Sequence, residues 1–121
     1  MSVLVWTGVL LIGGAGSVLR FWTDGVIGSL VGRDFPYGTL VINVSGALIL
    51  GFLSGLTLSN DQSLLEGTAA VGSYTTFSTW MFETQRLAED REPRSAALNV
   101  VASMVLGVSA AALGRLVVGQ L

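Results

Sequence analysis

Apolar residues along this chain do not alternate with polar ones. They gather into four long runs separated by short polar stretches. Each run holds about 20 residues, enough to cross a hydrocarbon core of roughly 30 Å. The pattern predicts four membrane-spanning helices, over residues 3–21, 38–58, 64–82 and 96–118. They take up most of the 121 residues, which reads as a single transmembrane domain over 1–121 and an all-α membrane protein. The first run lacks a positive leader and is long for a cleaved signal, so it is read as a retained helix.

The connections carry their own signals. In 22–37, Val26, Ile27, Leu30 and Val31 recur at helical spacing with Asp24, Arg33 and Asp34 at the edges. That pattern predicts a short interfacial helix, closed by Phe35-Pro36-Tyr37 at headgroup level. The stretch 59–63 is short and polar and predicts a tight hairpin. The stretch 84–95 is charged and contains Pro93, which ends one helix or opens the next.

The third run is interrupted. Gly72-Ser73-Tyr74-Thr75-Thr76-Phe77-Ser78-Thr79 places glycine and a file of hydroxyls inside an apolar span. Lipid supplies no hydrogen bonds, so irregular polar backbone at that depth must line a cavity or be buried in protein. A break between two half-helices brings helix-end dipoles and free carbonyls to the bilayer midplane, a common way to hold an ion.

Composition sharpens this. Half of the residues are hydrophobic and 12% are charged, against about a quarter charged in soluble domains. There is no cysteine and no histidine, which excludes disulfides, thiolate metal sites and imidazole chemistry. All six basic residues are arginine, without a basic run, so nucleic acid is not an expected partner. Arg33, Arg86, Arg91 and Arg94 fall on the side shared by the first and third connections, with Arg20 near the same end and Arg115 near the other. The positive-inside rule then places both termini outside, in one fixed orientation. Gly51 and Gly55, and the stripe Ser103, Gly107, Ala111, let helices approach closely in lipid. For any single glycine, packing within one bundle is the simpler account. The density of small residues, in so small a bundle, favours a dimer.

Further polar residues lie inside the spans. Gly13-Gly14-Ala15-Gly16 precedes Arg20, Gly38-Thr39-Leu40-Val41-Ile42-Asn43 leads to Gly46, and Asn99 and Ser103 lie one turn apart. These stretches, above all Thr75-Thr76-Phe77-Ser78-Thr79, resemble the Fluc family of small fluoride channels, also called CrcB-like proteins, over almost the whole chain. The resemblance implies a dual-topology fluoride channel: an antiparallel dimer in a prokaryotic plasma membrane, with the third helix broken at the membrane centre and fluoride pores along the subunit interface. It implies roles for individual residues. Asn43 would be a pore amide donor and Phe77 one member of the phenylalanine pairs flanking the anion. Thr39, Ser78, Thr79, Glu83, Asn99 and Ser103 would lie along the pore, and Arg20 near a vestibule. The backbone carbonyls of Gly72 and Ser73 would hold a structural sodium ion at the dimer centre.

One position departs from the family pattern. Trp80 stands where a second phenylalanine is usual, three residues after Phe77. It could retune or narrow the pore, or mark a subunit whose second aromatic position is unused. The second subunit could be an identical copy or an oppositely oriented paralogue. The competing readings are a small multidrug-resistance-type transporter and a structural subunit of a larger complex. The first needs an embedded carboxylate in the first span, and residues 3–21 contain no Asp or Glu. An enzyme is disfavoured because no paired acid–base constellation is present.

Overall fold

The computed structural model describes residues 2–121, and among them the backbone is helical without a strand. Helix α1 spans Val3–Val31 and is capped by Ser2, whose hydroxyl accepts from the Val5 N–H at 3.2 Å. It ends at Gly32, whose φ of 83° lies where glycine is favoured. Helix α2 covers Tyr37–Ser54. Ser59 opens the next element with a capping box through Gln62. A helical rod follows, made of α3 (Asn60–Gln62), a π-helical stretch (Ser63–Val71) and α4 (Gly72–Tyr74). Residues 75–77 leave the helix, then α5 covers Ser78–Glu89 and α6 covers Pro93–Gly119. Pro93 opens α6, where its missing N–H is no loss.

The expected interfacial helix over 22–37 is not a separate element. Helix α1 runs on through it to Val31. Nothing in Trp22-Thr23-Asp24-Gly25 stops a helix, since there is no proline and one glycine costs only about 1 kcal/mol. At 29 residues and about 1.5 Å per residue, α1 is roughly 44 Å long and exceeds the hydrocarbon core. The charged segment 84–95 likewise contracts to a turn at 90–92, because α5 persists to Glu89.

Among the described residues three helices, α1, α2 and α6, are long and apolar enough to cross a membrane. The remaining run is delivered as the rod and α5, with the interruption at Thr75–Thr76–Phe77 inside the polar stretch that predicts it.

Helix α2 packs along α6 with almost no side chain between them. A Cβ on Gly51 would sit 2.0 Å from the Ala111 carbonyl oxygen, and one on Gly114 would sit 2.2 Å from that of Leu48. Gly55 lies against the Val118 side chain. The small residues at 51, 55 and 111 are therefore used within the chain, whereas Gly107 opens onto free space. Of α1, only Gly16 is buried, and large apolar side chains such as Leu4, Leu10, Met104 and Val108 are exposed. These surfaces suit lipid or protein, not water.

Candidate ion site at the helix break

Thr75 turns the chain out of the rod with an extended backbone, φ −81° and ψ 163°. Three neighbours hold that turn. On α1, a Cβ at Gly16 would collide with the Ser73 hydroxyl, so only glycine lets the rod lie so close. On α2, Gly46 leaves room for the Thr75 methyl. One turn earlier on α2, Asn43 grips the Thr76 peptide at both ends. Its Nδ2 donates to the Thr76 carbonyl at 2.8 Å, and its Oδ1 accepts from the Thr76 N–H at 2.9 Å.

The hydroxyls of the file are spent locally. Ser73 donates to the Ala69 carbonyl at 2.5 Å and Thr75 to the Val71 carbonyl at 3.0 Å. Tyr74 shares a hydrogen bond of 3.0 Å with Ser45. Thr76 Oγ1 accepts from the Thr79 N–H at 3.2 Å and so caps α5. Among the described residues, no main-chain donor reaches the carbonyls of Gly72, Ser73 or Tyr74. The N–H groups of Phe77, Ser78 and Trp80 find no main-chain acceptor. The break thus presents open carbonyls at the end of the rod and open amides at the start of α5, the two ends that attract cations and anions respectively.

Phe77 projects outward, 70% exposed, and meets Trp80 edge to face with centroids 5.7 Å apart. The Trp80 indole N–H is not free: it donates to the Asn99 carbonyl at 3.1 Å. Asn99, fully buried, donates through Nδ2 to Thr84 Oγ1 at 2.9 Å, and Thr84 donates to the Trp80 carbonyl at 2.8 Å. Asn99 Oδ1 and Ser103 Oγ are buried without a partner. A second cluster joins α1, α2 and α5. Thr39 is buried and donates to Glu83 Oε1 at 2.5 Å. Half-buried Arg20 shares a cavity of about 230 Å³ with Ser17, Thr39, Thr76 and Thr79.

The structure therefore brings Asn43, Phe77 and Trp80 to one recess of about 300 Å³ beside the break. Arg20, Thr39 and Thr79 share a neighbouring one. Asn99 and Ser103 line neither; they sit on α6 behind Trp80. Ser78 is exposed and makes no side-chain hydrogen bond among the described residues. Thr76 and Thr84 are the working residues that sequence reading left without a role. Thr76 could have been found as a cap three residues before Thr79, whereas Thr84 needs the tertiary contact with Asn99.

Because α1 extends to Val31, it does contain a carboxylate, Asp24. That group is paired with Arg33 at 3.3 Å, so it does not supply the free embedded acid that a proton-coupled transporter needs.

Residues 7–115 match the family described as CrcB-like protein, Camphor Resistance (CrcB). The chain belongs to the CrcB-like family. Among its relatives is the "Fluoride-specific ion channel FluC 2" of Mycolicibacterium paratuberculosis, 60% identical over 114 residues, covering 94% of this chain and 93% of that one. The protein of the same name from Mycobacterium bovis is 58% identical over 115 residues, 95% of this chain and 91% of that one. A more distant CrcB-like relative, the "Fluoride-specific ion channel FluC" of Methylococcus capsulatus, is 43% identical and covers 93% of this chain but 54% of its own. The broken helix is thus part of a CrcB-like chain, matched over nearly its full length by proteins named as fluoride channels.

Proposed function

We propose that this protein is a fluoride-specific channel that lets fluoride leave a prokaryotic cell passively across the plasma membrane. The observation that carries the reading is the interrupted helix itself, with open amides on one side and open carbonyls on the other. Membership of a family whose relatives are named for fluoride supports it.

Fluoride is small and strongly hydrated, so a dry path must replace its water with donors. The amides of Phe77, Ser78 and Trp80 at the start of α5, and the Arg20 guanidinium and Thr79 hydroxyl of the neighbouring recess, are such donors. The edge of Phe77 carries partial positive charge and can face an anion. The unsatisfied Ser103 hydroxyl and the buried Asn99 mark a polar line along α6. Glu83, held by Thr39, lines a separate recess with Arg33, Arg86 and Asp90.

The working unit is an antiparallel dimer of four-span subunits, with the break at the membrane centre and pores along the interface. Exposed Phe77 and the open flank at Gly107 are surfaces that a second subunit would cover. At the centre, the Gly72 and Ser73 carbonyls fit a sodium ion. They are hard oxygen donors left without a main-chain partner, while the Ser73 hydroxyl is already committed elsewhere. When bound, sodium would supply a fixed positive charge that raises the potential for anions.

The test is fluoride efflux from liposomes holding the purified protein alone, read with a fluoride electrode, with valinomycin carrying the counter-current. Rapid fluoride efflux without chloride efflux is expected of a self-sufficient homodimer. Efflux only after a paralogue of opposite orientation is added would make the unit a heterodimer. Absence of efflux in both cases would overturn the channel reading.

A further inference from the structure

We propose that Asn43 is a positioning residue whose amide keeps the third helix broken at Thr76, and that it thereby leaves the Gly72 carbonyl open to a cation. The inference rests on the channel reading above but concerns a device that reading does not contain.

In an unbroken helix the Thr76 N–H would bond the Gly72 carbonyl, and the Thr76 carbonyl would receive the Trp80 N–H. Neither bond forms. Asn43 occupies both places at once, donating to the Thr76 carbonyl and accepting from its N–H. A carboxamide carries a donor and an acceptor side by side, so it matches the two polar groups of a single residue's backbone as few side chains can. Thr76 is 9% exposed, and its backbone could not turn to water instead.

The consequence reaches past Thr76. With Asn43 in place, the Gly72 carbonyl and the Trp80 N–H each lose their helical partner, one on each side of the break. Without the amide, the buried Thr76 peptide would have two unmet groups, and the nearest remedy is the pair of helical bonds that Asn43 displaces. Mending them would cap the Gly72 carbonyl. Gly46, three residues on along α2, supports the same arrangement by giving the Thr75 methyl its space. One Asn43 amide hydrogen is spent on Thr76, so the residue acts first on the backbone and only with its second hydrogen on anything else.

The test uses the full-length protein in detergent. Its melting temperature is followed as sodium replaces N-methylglucamine, for wild type, Asn43→Leu and Asn43→Ala, with fluoride efflux measured in parallel. Wild type should gain stability with sodium, as any ligand of the native state requires. Both variants should lose that response or shift its midpoint by at least about tenfold, alongside the loss of efflux. A wild-type sodium midpoint in variants that no longer conduct would overturn the proposal and make Asn43 a direct ligand of the anion. A wild type indifferent to sodium would overturn the cation half, while its own efflux would show separately whether the channel reading stands. Hydrogen exchange on ¹⁵N-threonine-labelled wild type guards against variants that do not fold. Thr76 should be protected as well as Thr75, whose N–H bonds the Val71 carbonyl. A freely exchanging Thr76 would overturn the clamp.

Discussion

Replacing Trp80 by phenylalanine separates two roles that the indole could have. The structure commits its N–H to the Asn99 carbonyl at 3.1 Å, so the ring contributes an edge contact to Phe77 and a strut between α5 and α6, and no donor to the anion path. Trp80→Phe removes the strut bond and keeps an aromatic ring facing Phe77. Side-chain hydrogen bonds between membrane helices average about 0.6 kcal/mol and reach about 1.7 kcal/mol. The Asn99 carbonyl belongs to α6 and keeps its place in that helix's own bonding, so no acceptor is stranded, and a loss near 1 kcal/mol is expected. A barrier change of the same size bounds the effect on flux at roughly fivefold. The assay pairs thermal unfolding in detergent with fluoride efflux from liposomes at matched protein density. A slightly less stable protein with efflux within that bound is the expected outcome. Complete loss of efflux in a variant that melts close to wild type would refute the reasoning, because it would mean that the indole N–H acts on the ion after all.

Phe77→Ala should leave the fold intact, since the ring is largely exposed within the subunit, yet lower efflux by about tenfold or more if one edge contact worth ~1.4 kcal/mol is lost; unchanged efflux would remove Phe77 from the pore. Gly51→Ala should destabilise the protein by about 1–3 kcal/mol, because the new methyl meets the Ala111 backbone. Gly107→Ala, with nothing within 4 Å, should be neutral or slightly stabilising within the subunit, and a shift to monomer on size-exclusion would place Gly107 in the dimer contact. Thr39→Val should cost about 1–3 kcal/mol by stripping Glu83 of its donor, whereas Glu83→Gln keeps an acceptor for Thr39 and should melt closer to wild type.

The break was legible because its signal is local. Hydroxyls and glycine inside an apolar run conflict with both lipid and helix, and the chain departs from the helix at Thr75 within that run. The partners were not legible. Asn43 and Thr76 lie 33 residues apart, and nothing in either neighbourhood announces that the amide will be consumed by a backbone group. Trp80 shows the same limit: its departure from the family pattern is visible in sequence, but its indole bond to Asn99 exists only once α6 folds against α5. The continuous α1 was missed for a different reason. Polar residues at 22–25 resemble a connection when counted by hydropathy, yet Asp24 is satisfied by Arg33, and a helix needs a true breaker to end. The Gly51 and Gly55 motif could not reveal whether its partner was another chain or its own α6.

The π-helical stretch over Ser63–Val71 has a consequence for how the break is aimed. A π turn holds one residue more than an α turn closes with, as an inserted residue would. Everything downstream is therefore out of phase with a helical wheel drawn from Asn60. Straightening this stretch to α geometry with every residue kept would lengthen the rod and turn the break through roughly 100°. That rotation would swing Ser73 and Thr75 away from Gly16 and Gly46. The wide turn thus works as a phase adjuster, and the length of this stretch is bound to the aim of a site that only its last residues, Ala69 to Val71, touch.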